Sequence, residues 1–363
     1  MIEGVDAKDS ATIDLIQYVQ SEVPGLQYIA ATANRVLFEY AGGWADVQGQ
    51  KAMTLDTTLM AYSMTKTFTS VAILQLVERR TLGLDEVIDR FLPNNPYCGH
   101  GITVRQLLDH TSGVPNPIPL RWVHLAEEDS IFDEGEALAA VFRINPDLAF
   151  EPGQKFAYSN IGYWLLGKLV EQVSGQFFTA YMRANILRPL RLSAEEMDFV
   201  IPDQSRHANG YLEKYSFMNL VKGFVIDRKV LADYEGHWLR LKSHYVNGPA
   251  FGGLIGTARG FSRFLKDQLR TESMLFGPET KRLLETQQTD GSGRPIRMTL
   301  GWHIGETHGA VYFFKEGGGG GFHSEMRIYP VKGVASVVLA NSTGFNSTRF
   351  LNRVDRTFFE RRL

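Results

Sequence analysis

Residues 324–340 read Ser-Glu-Met-Arg-Ile-Tyr-Pro-Val-Lys-Gly-Val-Ala-Ser-Val-Val-Leu-Ala. Ser324 to Tyr329 alternates, with Met326 and Ile328 on one face and Glu325 and Arg327 on the other, which is the period of a strand. Pro330 to Gly333 is a turn, and Val334 to Ala340 is an apolar run short enough for a buried strand. A short turn leaves its two strands antiparallel. Working outward, Leu300 to Ile304 and Ala310 to Phe314 form another hairpin around Thr307-His308-Gly309. The start of the chain offers Leu26 to Ala31 and Val36 to Tyr40 around a turn near Ala33-Asn34. A helix carrying Ile13, Ile16, Tyr18 and Val19 precedes them and stops at Pro24-Gly25, and Thr348 to Arg361 reads as a closing helix. The expected fold class is α+β: one antiparallel sheet of about five strands, closed by both ends of the chain and flanked by the terminal helices.

The middle of the chain is mainly helical. Expected helices are Thr65 to Arg79, Val104 to Asp109, Glu136 to Phe142, Ile161 to Val173, Phe177 to Leu187, Arg259 to Leu269 and Glu279 to Glu285, with Gly175 ending the fourth. Residues 1–62 and 290–363 are thus expected to form a sheet lobe and 63–289 a mainly helical lobe, as one catalytic unit with its site between them. The chain has 363 residues, 44% hydrophobic and 21% charged, an ordinary soluble composition with enough length for a large core. Lys plus Arg is 38 against 40 Asp plus Glu, so the chain lacks the basic surplus that drives phosphate-backbone binding, and no nucleic acid partner is expected. The single cysteine, Cys98, excludes an internal disulfide. The apolar runs Val71 to Val77 and Gly333 to Ala340 are far too short to span a membrane. Glu3, Asp6, Asp9, Asp14 and Glu22 break up the first thirty residues, so no export signal is read there. With Met1 present, these features point to the cytoplasm and away from a membrane.

Three motifs can carry chemistry. Ser63-Met64-Thr65-Lys66 puts a hydroxyl and an amine one helical turn apart. The hydroxyl needs a base, and a lysine whose pKa is lowered by burial or nearby charge can be one. The run Phe68, Val71, Ala72, Ile73, Leu74, Leu76 and Val77 says that this helix is deeply buried. Tyr158-Ser159-Asn160 follows the turn Glu151-Pro152-Gly153. A phenol beside cations can move a proton, and an Asn amide can both donate to and accept from a substrate. Equally, Asn160 can be a helix cap and Tyr158 a packed aromatic, and a second Tyr-x-Asn stands at Tyr245-Val246-Asn247. Lys315-Glu316-Gly317 ends a strand and opens the glycine run Gly317 to Gly321, where a substrate can approach the backbone closely. Such an edge can donate N–H groups to an acyl oxygen, or it can be a polar hairpin loop.

Taken in this order, the three motifs resemble the penicillin-binding and class C β-lactamase-like serine hydrolases. Leu107-Leu108-Asp109-His110-Thr111-Ser112-Gly113 resembles a family hallmark, as does Glu151-Pro152-Gly153 through Tyr158-Ser159-Asn160 into Gly162-Tyr163. Gly252-Gly253-Leu254 with Thr257-Ala258-Arg259, and Gly321-Phe322-His323-Ser324, resemble two more, so that the resemblance runs from about residue 10 to residue 360. It implies an antiparallel sheet with a helical lobe and the site between them. It implies that Ser63 becomes acylated, that Lys66 takes part in proton transfer from it, and that Tyr158 serves as base and then as donor to the leaving group. Asn160, Lys315 and Gly317 would hold the substrate, Lys315 would lower the Tyr158 pKa, and the backbone N–H groups of Ser63 and Gly318 would form an oxyanion hole. Cofactor and metal are not implied.

The middle residue of the third motif is often Thr or Ser in the lactamases and peptidases, and here it is Glu316. A carboxylate facing the cleft would repel an anionic β-lactam. With the missing signal, this favours an esterase or amidase on a neutral acyl substrate over a β-lactamase or D-Ala-D-Ala peptidase. Lys315, where many esterases carry His or Trp, points the other way. A non-catalytic penicillin-binding-like scaffold is the alternative outside enzymes. A Ser-His-Asp triad lacks a Gly-x-Ser-x-Gly elbow, with His110 and His323 read as structural loop residues. Nine histidines include no His-Glu-x-x-His, His303 and His308 read as hairpin residues, and the glycine run lacks the Lys-Ser/Thr of a phosphate loop. The loop Tyr211 to Tyr245 either walls the cleft or covers the lobe junction. The expected partner is a small acyl substrate, an ester, amide or β-lactam, and the oligomeric state is open.

Overall fold

The computed structural model describes residues 21–117 and 121–359, together with 13, 16 and 17. Seven antiparallel strands form the main sheet: β1 Gly25–Ala31, β2 Val36–Asp46, β3 Lys51–Ala52, β4 His303–Thr307, β5 Ala310–Gly319, β6 Phe322–Tyr329 and β7 Val334–Ala340. Their spatial order is β4-β5-β6-β7-β1-β2-β3. The two ends of the chain meet at the centre, where β1 pairs with β7 from Leu26↔Ala340 to Ala31↔Ala335. All seven residues of each of these two strands are buried. The sheet is wider than the expected five or so strands; the six spans read from the sequence all pair in it, and the seventh, β3, is only two residues long and has no alternation to announce it. His308 and Gly309 both have positive φ, 48° and 71°, which is the turn that joins β4 to β5. The first strand of that hairpin starts three residues later than expected, because Leu300 and Trp302 are buried in the core instead of pairing.

The expected first helix lies mostly outside the described residues; within it Ile13 and Ile16 are helical and Ile16 is fully buried. Ile16 joins Leu26, Tyr28, Val338, Phe350 and Val354 in a core on one face of the sheet. The closing helix is Ser347–Val354, followed by the short turn of helix Arg356–Phe359. On the opposite face, Ile29, Met326, Ile328, Val337 and Leu339 belong to the main core of the molecule.

The middle of the chain builds α1 Thr65–Glu78, α2 Asn160–Ser174 and α3 Ala258–Leu269, and the closing helix Ser347–Val354 is α4. In α1 every residue from Thr65 to Leu76 is buried, and its buried polar side chains are hydrogen-bonded, Thr67 to Gly301 O, Thr69 to Ala250 O and Gln75 to Leu275 O among them. Gly175 ends α2 in the left-handed conformation at φ 69°, as expected. Ser159, not Asn160, is the cap of α2: its hydroxyl accepts from Gly162 N at 2.9 Å. Asn160 is thereby left free for other work. Helix α3 packs on β1 and β7, with Gln27 Oε1 accepting from Ala258 N at 2.7 Å. Among the described residues, no helix is long and apolar enough to cross a membrane.

Candidate active site

Ser63 lies in a single 3₁₀ turn, Tyr62–Met64, that runs directly into α1. Tyr62 has φ 44°, an uncommon conformation for a residue with a side chain. The Ser63 hydroxyl accepts two hydrogen bonds, from Lys66 Nζ at 2.9 Å and from Tyr158 Oη at 2.8 Å. Lys66 also donates to Asn160 Oδ1 at 2.6 Å and to Phe251 O at 2.7 Å. An ammonium has three N–H bonds, so all three are used. Lys66 is fully buried, and its pKa is held well below the usual lysine range, first by burial and then by the positive charge of Lys315.

Tyr158 reaches Ser63 because two loops are strapped together. Ala157 N donates to His110 O at 2.9 Å, and Gly153 N donates to Thr111 O at 2.8 Å. Gly113, at φ 77°, lies where a Cβ would fall 2.0 Å from Phe150 O, so the residue that ends this loop must be glycine. His110 Nδ1 accepts from Ser159 N at 3.2 Å, and its ring lies 4.5 Å from that of Tyr158. The Leu107 to Gly113 segment is therefore the brace of the Tyr158 loop. Asn160 Nδ2 donates to Asn116 Oδ1 at 2.9 Å, which fixes the amide so that its oxygen faces Lys66.

Lys315 is fully buried on β5, with Nζ 5.4 Å from the centre of the Tyr158 ring and 3.4 Å from His303 Nε2. Burial draws its pKa down to about 7. Lys315 is not what dominates the Tyr158 phenol. Burial is the largest influence on that phenol and pushes it above the usual tyrosine range, because a phenolate would lose its water. Gly317 faces the nucleophile: a Cβ there would lie 2.0 Å from Ala61 O and 3.0 Å from Ser63 N, so only glycine fits. Beyond Phe314, β5 has no strand on its β4 side, since β4 pairs only with Ala310 to Phe314. Gly318, Gly319 and Gly320 consequently line a cavity of about 160 Å³ together with Ser63, Tyr158 and Asn160.

Glu316 does not face this cavity. Successive strand residues alternate faces, and Glu316 projects away from Lys315 and Gly317 to accept from His323 Nε2 at 2.8 Å. Glu316 is not among the residues that line the cavity, so the expected direct repulsion of an anionic substrate by a cleft-facing carboxylate lapses. His323 is itself a strand residue of β6, not part of a loop. The segment Tyr211 to Tyr245 walls the cleft, as Ile226, Val230 and His244 line the same cavity. Tyr245-Val246-Asn247 is no second site: Tyr245 Oη accepts from Ile201 N at 3.1 Å, and Asn247 Oδ1 meets His124 Nδ1 at 3.0 Å. Sequence reading missed Asn116, Tyr62, His244, His303 and the carbonyl of Phe251, none of which lies in a motif with recognisable spacing. Among the described residues, no group of three or more His, Cys, Asp or Glu is placed to hold a metal.

The sequence pattern of the family described as Beta-lactamase matches residues 10–357. Penicillin-binding protein 4* of Bacillus subtilis (strain 168) is 28% identical over 207 residues, which cover 50% of this chain and 45% of that protein. The chain thus spans less than half the length of this curated relative. The octameric penicillin-binding protein homologue from Pyrococcus abyssi superposes with a TM-score of 0.76 at 24% identity, covering 94% of this chain and 75% of that one. D-amino acid amidase from Ochrobactrum anthropi SV3, complexed with D-phenylalanine, superposes with a TM-score of 0.77 at 20% identity, covering 97% and 99%. These two likenesses show a shared fold. With the family pattern matched over nearly the whole chain, the protein belongs to the Beta-lactamase family.

Proposed function

We propose that the protein hydrolyses a neutral acyl substrate, an ester or amide, through an acyl-enzyme on Ser63. The observation that carries this reading is the double hydrogen bond on Ser63 Oγ, from Lys66 Nζ and Tyr158 Oη. A neutral Lys66 has only two N–H bonds, and Asn160 Oδ1 and Phe251 O, which can only accept, take both. Its lone pair then faces Ser63, and the serine hydroxyl donates to it. Loss of one proton from Lys66 therefore turns the amine into the base for Ser63 without any movement. Ser63 Oγ attacks the acyl carbon as its proton passes to Lys66, the bond to the leaving group breaks as Tyr158 supplies that group with a proton, and the Lys66 ammonium returns a proton to the Tyr158 phenolate. Water, giving a proton to neutral Lys66, then cleaves the acyl-enzyme ester, and Ser63 Oγ takes that proton back. A phenol held neutral by burial suits this donor role. The cleft lies between the sheet lobe, 1–62 and 290–363, and the helical lobe, 63–289. Backbone N–H groups of Ser63 and Gly318 receive the oxyanion, and Asn160, Lys315 and Gly317 hold the substrate.

Several features support a neutral, compact acyl group. Among the described residues that line the cavity none is Asp, Glu, Lys or Arg. Burial also lowers the pKa of His244, another lining residue, which favours a neutral ring. A volume of about 160 Å³ is close to the roughly 150 Å³ that accommodates benzene in a protein core, so an acyl group of up to about six carbons fits. On the other side of Tyr158 a groove of about 570 Å³, lined by Phe156, His303, Tyr312 and Phe314, offers room for the leaving group. One observation favours a β-lactam or D-Ala-D-Ala peptide as second reading, namely Glu316 turning away from the cleft.

The test is a panel of short- and long-acyl aryl esters, a small aryl amide, a chromogenic cephalosporin and a D-Ala-D-Ala peptide. A short-acyl ester should turn over fastest, and intact mass should show an acyl adduct in the wild type and none in Ser63→Ala. Faster hydrolysis of the cephalosporin or the peptide selects the second reading. No adduct with any of them, nor with an activated phosphonate, leaves a non-catalytic scaffold.

A pH profile tests the two lysines together. Positive charge on Lys315 disfavours a proton on Lys66. Removing that charge raises the Lys66 pKa, and a base must be deprotonated to act. Lys315→Met is therefore expected to move the acid limb of the kcat/KM profile to higher pH. An acid limb that stays in place or moves to lower pH removes Lys315 from control of the base.

A further inference from the structure

The glycine run that follows Lys315 needs an anchor. Gly317 to Gly319 pairs with β6 on one side, but the run has no side chains to pack, and beyond Phe314 its other edge has no strand on the β4 side. Side-chain hydroxyls hold three of its carbonyls. Gly317 O accepts from Ser324 Oγ at 3.2 Å, Gly319 O from Thr343 Oγ1 at 2.9 Å, and Gly320 O from Tyr62 Oη at 2.8 Å. The third anchor differs in kind, because Tyr62 immediately precedes the nucleophile and the N–H of Ser63 belongs to the Tyr62–Ser63 peptide. The Tyr62 ring also lies so close to Gly319 that a Cβ there would be 2.4 Å from it. One residue thus fixes both places from which the oxyanion donors are expected: the Ser63 N–H through its own peptide, held at φ 44°, and the Gly318 edge through its ring and hydroxyl.

His244 bears on the same hydroxyl, with Nε2 3.0 Å from Tyr62 Oη and Nδ1 2.8 Å from Lys242 O. The chain Lys242 O, His244, Tyr62, Gly320 O makes three contacts and ends in a carbonyl at both sides. A neutral imidazole and a phenol bring two hydrogens to those three contacts. Nδ1–H goes to Lys242 O, and the single phenol proton is contested between Gly320 O and His244 Nε2.

We propose that Tyr62 is a positioning residue for the oxyanion hole, its hydroxyl clamping the glycine edge to the nucleophile turn and His244 setting how firmly the clamp is closed. This rests on the acyl-enzyme reading above. The clamp acts on the geometry of the transition-state oxyanion and not on ground-state binding, so its loss falls on kcat. Removing one oxyanion donor outright costs about 10²–10³ in kcat, and loosening one should cost about tenfold.

The experiment measures kcat and KM of Tyr62→Phe and His244→Gln on the best aryl ester and on its thionoester, whose sulfur accepts hydrogen bonds poorly. Tyr62→Phe keeps the ring against Gly319 and removes only the hydroxyl. The expected result is a kcat about tenfold lower, KM within about twofold, and a smaller preference for the oxygen ester over the thionoester. His244→Gln can donate an amide N–H to Tyr62 Oη and leave the phenol proton to Gly320, so its kcat should stay well above that of Tyr62→Phe. Full stoichiometric labelling of Ser63 by a phosphonate shows that each variant is folded. If Ser63→Ala abolishes turnover while Tyr62→Phe keeps the wild-type kcat or changes KM alone, the clamp is overturned and the acyl-enzyme reading stands. An equal fall in His244→Gln assigns the loss to the cavity wall, which also overturns it. Turnover that survives in Ser63→Ala overturns the acyl-enzyme reading itself.

Discussion

Lys66→Met is expected to lower kcat/KM on the preferred ester by about 10³-fold or more, within the range that general-base catalysis spans. Methionine fills the buried channel that Lys66 occupies beside Ser63 but has no lone pair of comparable basicity. The serine hydroxyl then has no acceptor for its proton except solvent, and a phenol held neutral by burial is a poor substitute. Asn160 Oδ1 and Phe251 O also lose their donor, so the Asn160 amide loses one of the two bonds that fix its direction. The loss should appear in kcat at every pH, because no titration restores the base. It should also appear in the pre-steady state, where acylation measured by intact mass becomes slow relative to deacylation. A Lys66→Met enzyme within tenfold of the wild-type kcat/KM would move the role of base to Tyr158 or to water.

Arg327→Met should produce the largest loss of stability. The guanidinium is completely buried, donating from Nε to Glu325 Oε1 at 2.5 Å, a carboxylate with no exposure of its own. Nη1 donates to Asn352 Oδ1 at 2.7 Å and to Tyr329 Oη at 3.2 Å. Tyr329 in turn donates to Asp355 Oδ2 at 2.7 Å, and Ser336 and Tyr28 donate to the same carboxylate at 2.7 and 2.8 Å. Arg327 is thus the cation of a sealed network that holds two carboxylates under the C-terminal helices. Removing one member of a buried pair leaves an uncompensated charge and costs about 3–5 kcal/mol. With unfolding entropy of about 2.1 cal/mol/K per residue, a chain of this length should lose about 5 °C in Tm. The deficit should shrink in mild acid. Burial holds Asp355 above the ordinary carboxylate range and Arg327 opposes this, so without Arg327 its pKa rises further. Between the unfolded value and that raised value the folded state binds a proton that the unfolded state does not. Stability of the variant therefore recovers as pH falls into that window. A variant melting within a degree of wild type at pH 8 would show that the network carries little of the stability.

The face of β6 that carries Glu325 and Arg327 shows where sequence reading stops. Alternation along Ser324 to Tyr329 fixed which residues share a face, because side chains on a strand must alternate. It did not say what covers the polar face. That face lies under α4, where Ser347 Oγ and Thr348 Oγ1 donate to Glu325 Oε2 at 2.7 and 3.1 Å. Glu316 taught the same lesson in the opposite direction. Its place between Lys315 and Gly317 made it look like a cleft residue, yet it turns to His323 across the hairpin. Asn160 was legible as a residue at the start of a helix, but the neighbouring Ser159 does the capping, and the fixed direction of the Asn160 amide depends on Asn116 in a distant loop.

What the sequence determined by itself was local: the strand and helix periods, the turns at Gly175, His308-Gly309 and Pro330 to Gly333, and the one-turn spacing that sets Lys66 beside Ser63. Backbone geometry repeats over a few residues, so a few residues suffice to specify it. Only the tertiary structure decided that Tyr158 and Lys66 share one hydroxyl, that Tyr62 reaches Gly320, that His244 and Val230 close the cavity, and that Glu316 looks outward. Those contacts join positions up to 258 residues apart. They arise from how sheet, helices and loops pack as solids, and no periodicity along the chain records that packing.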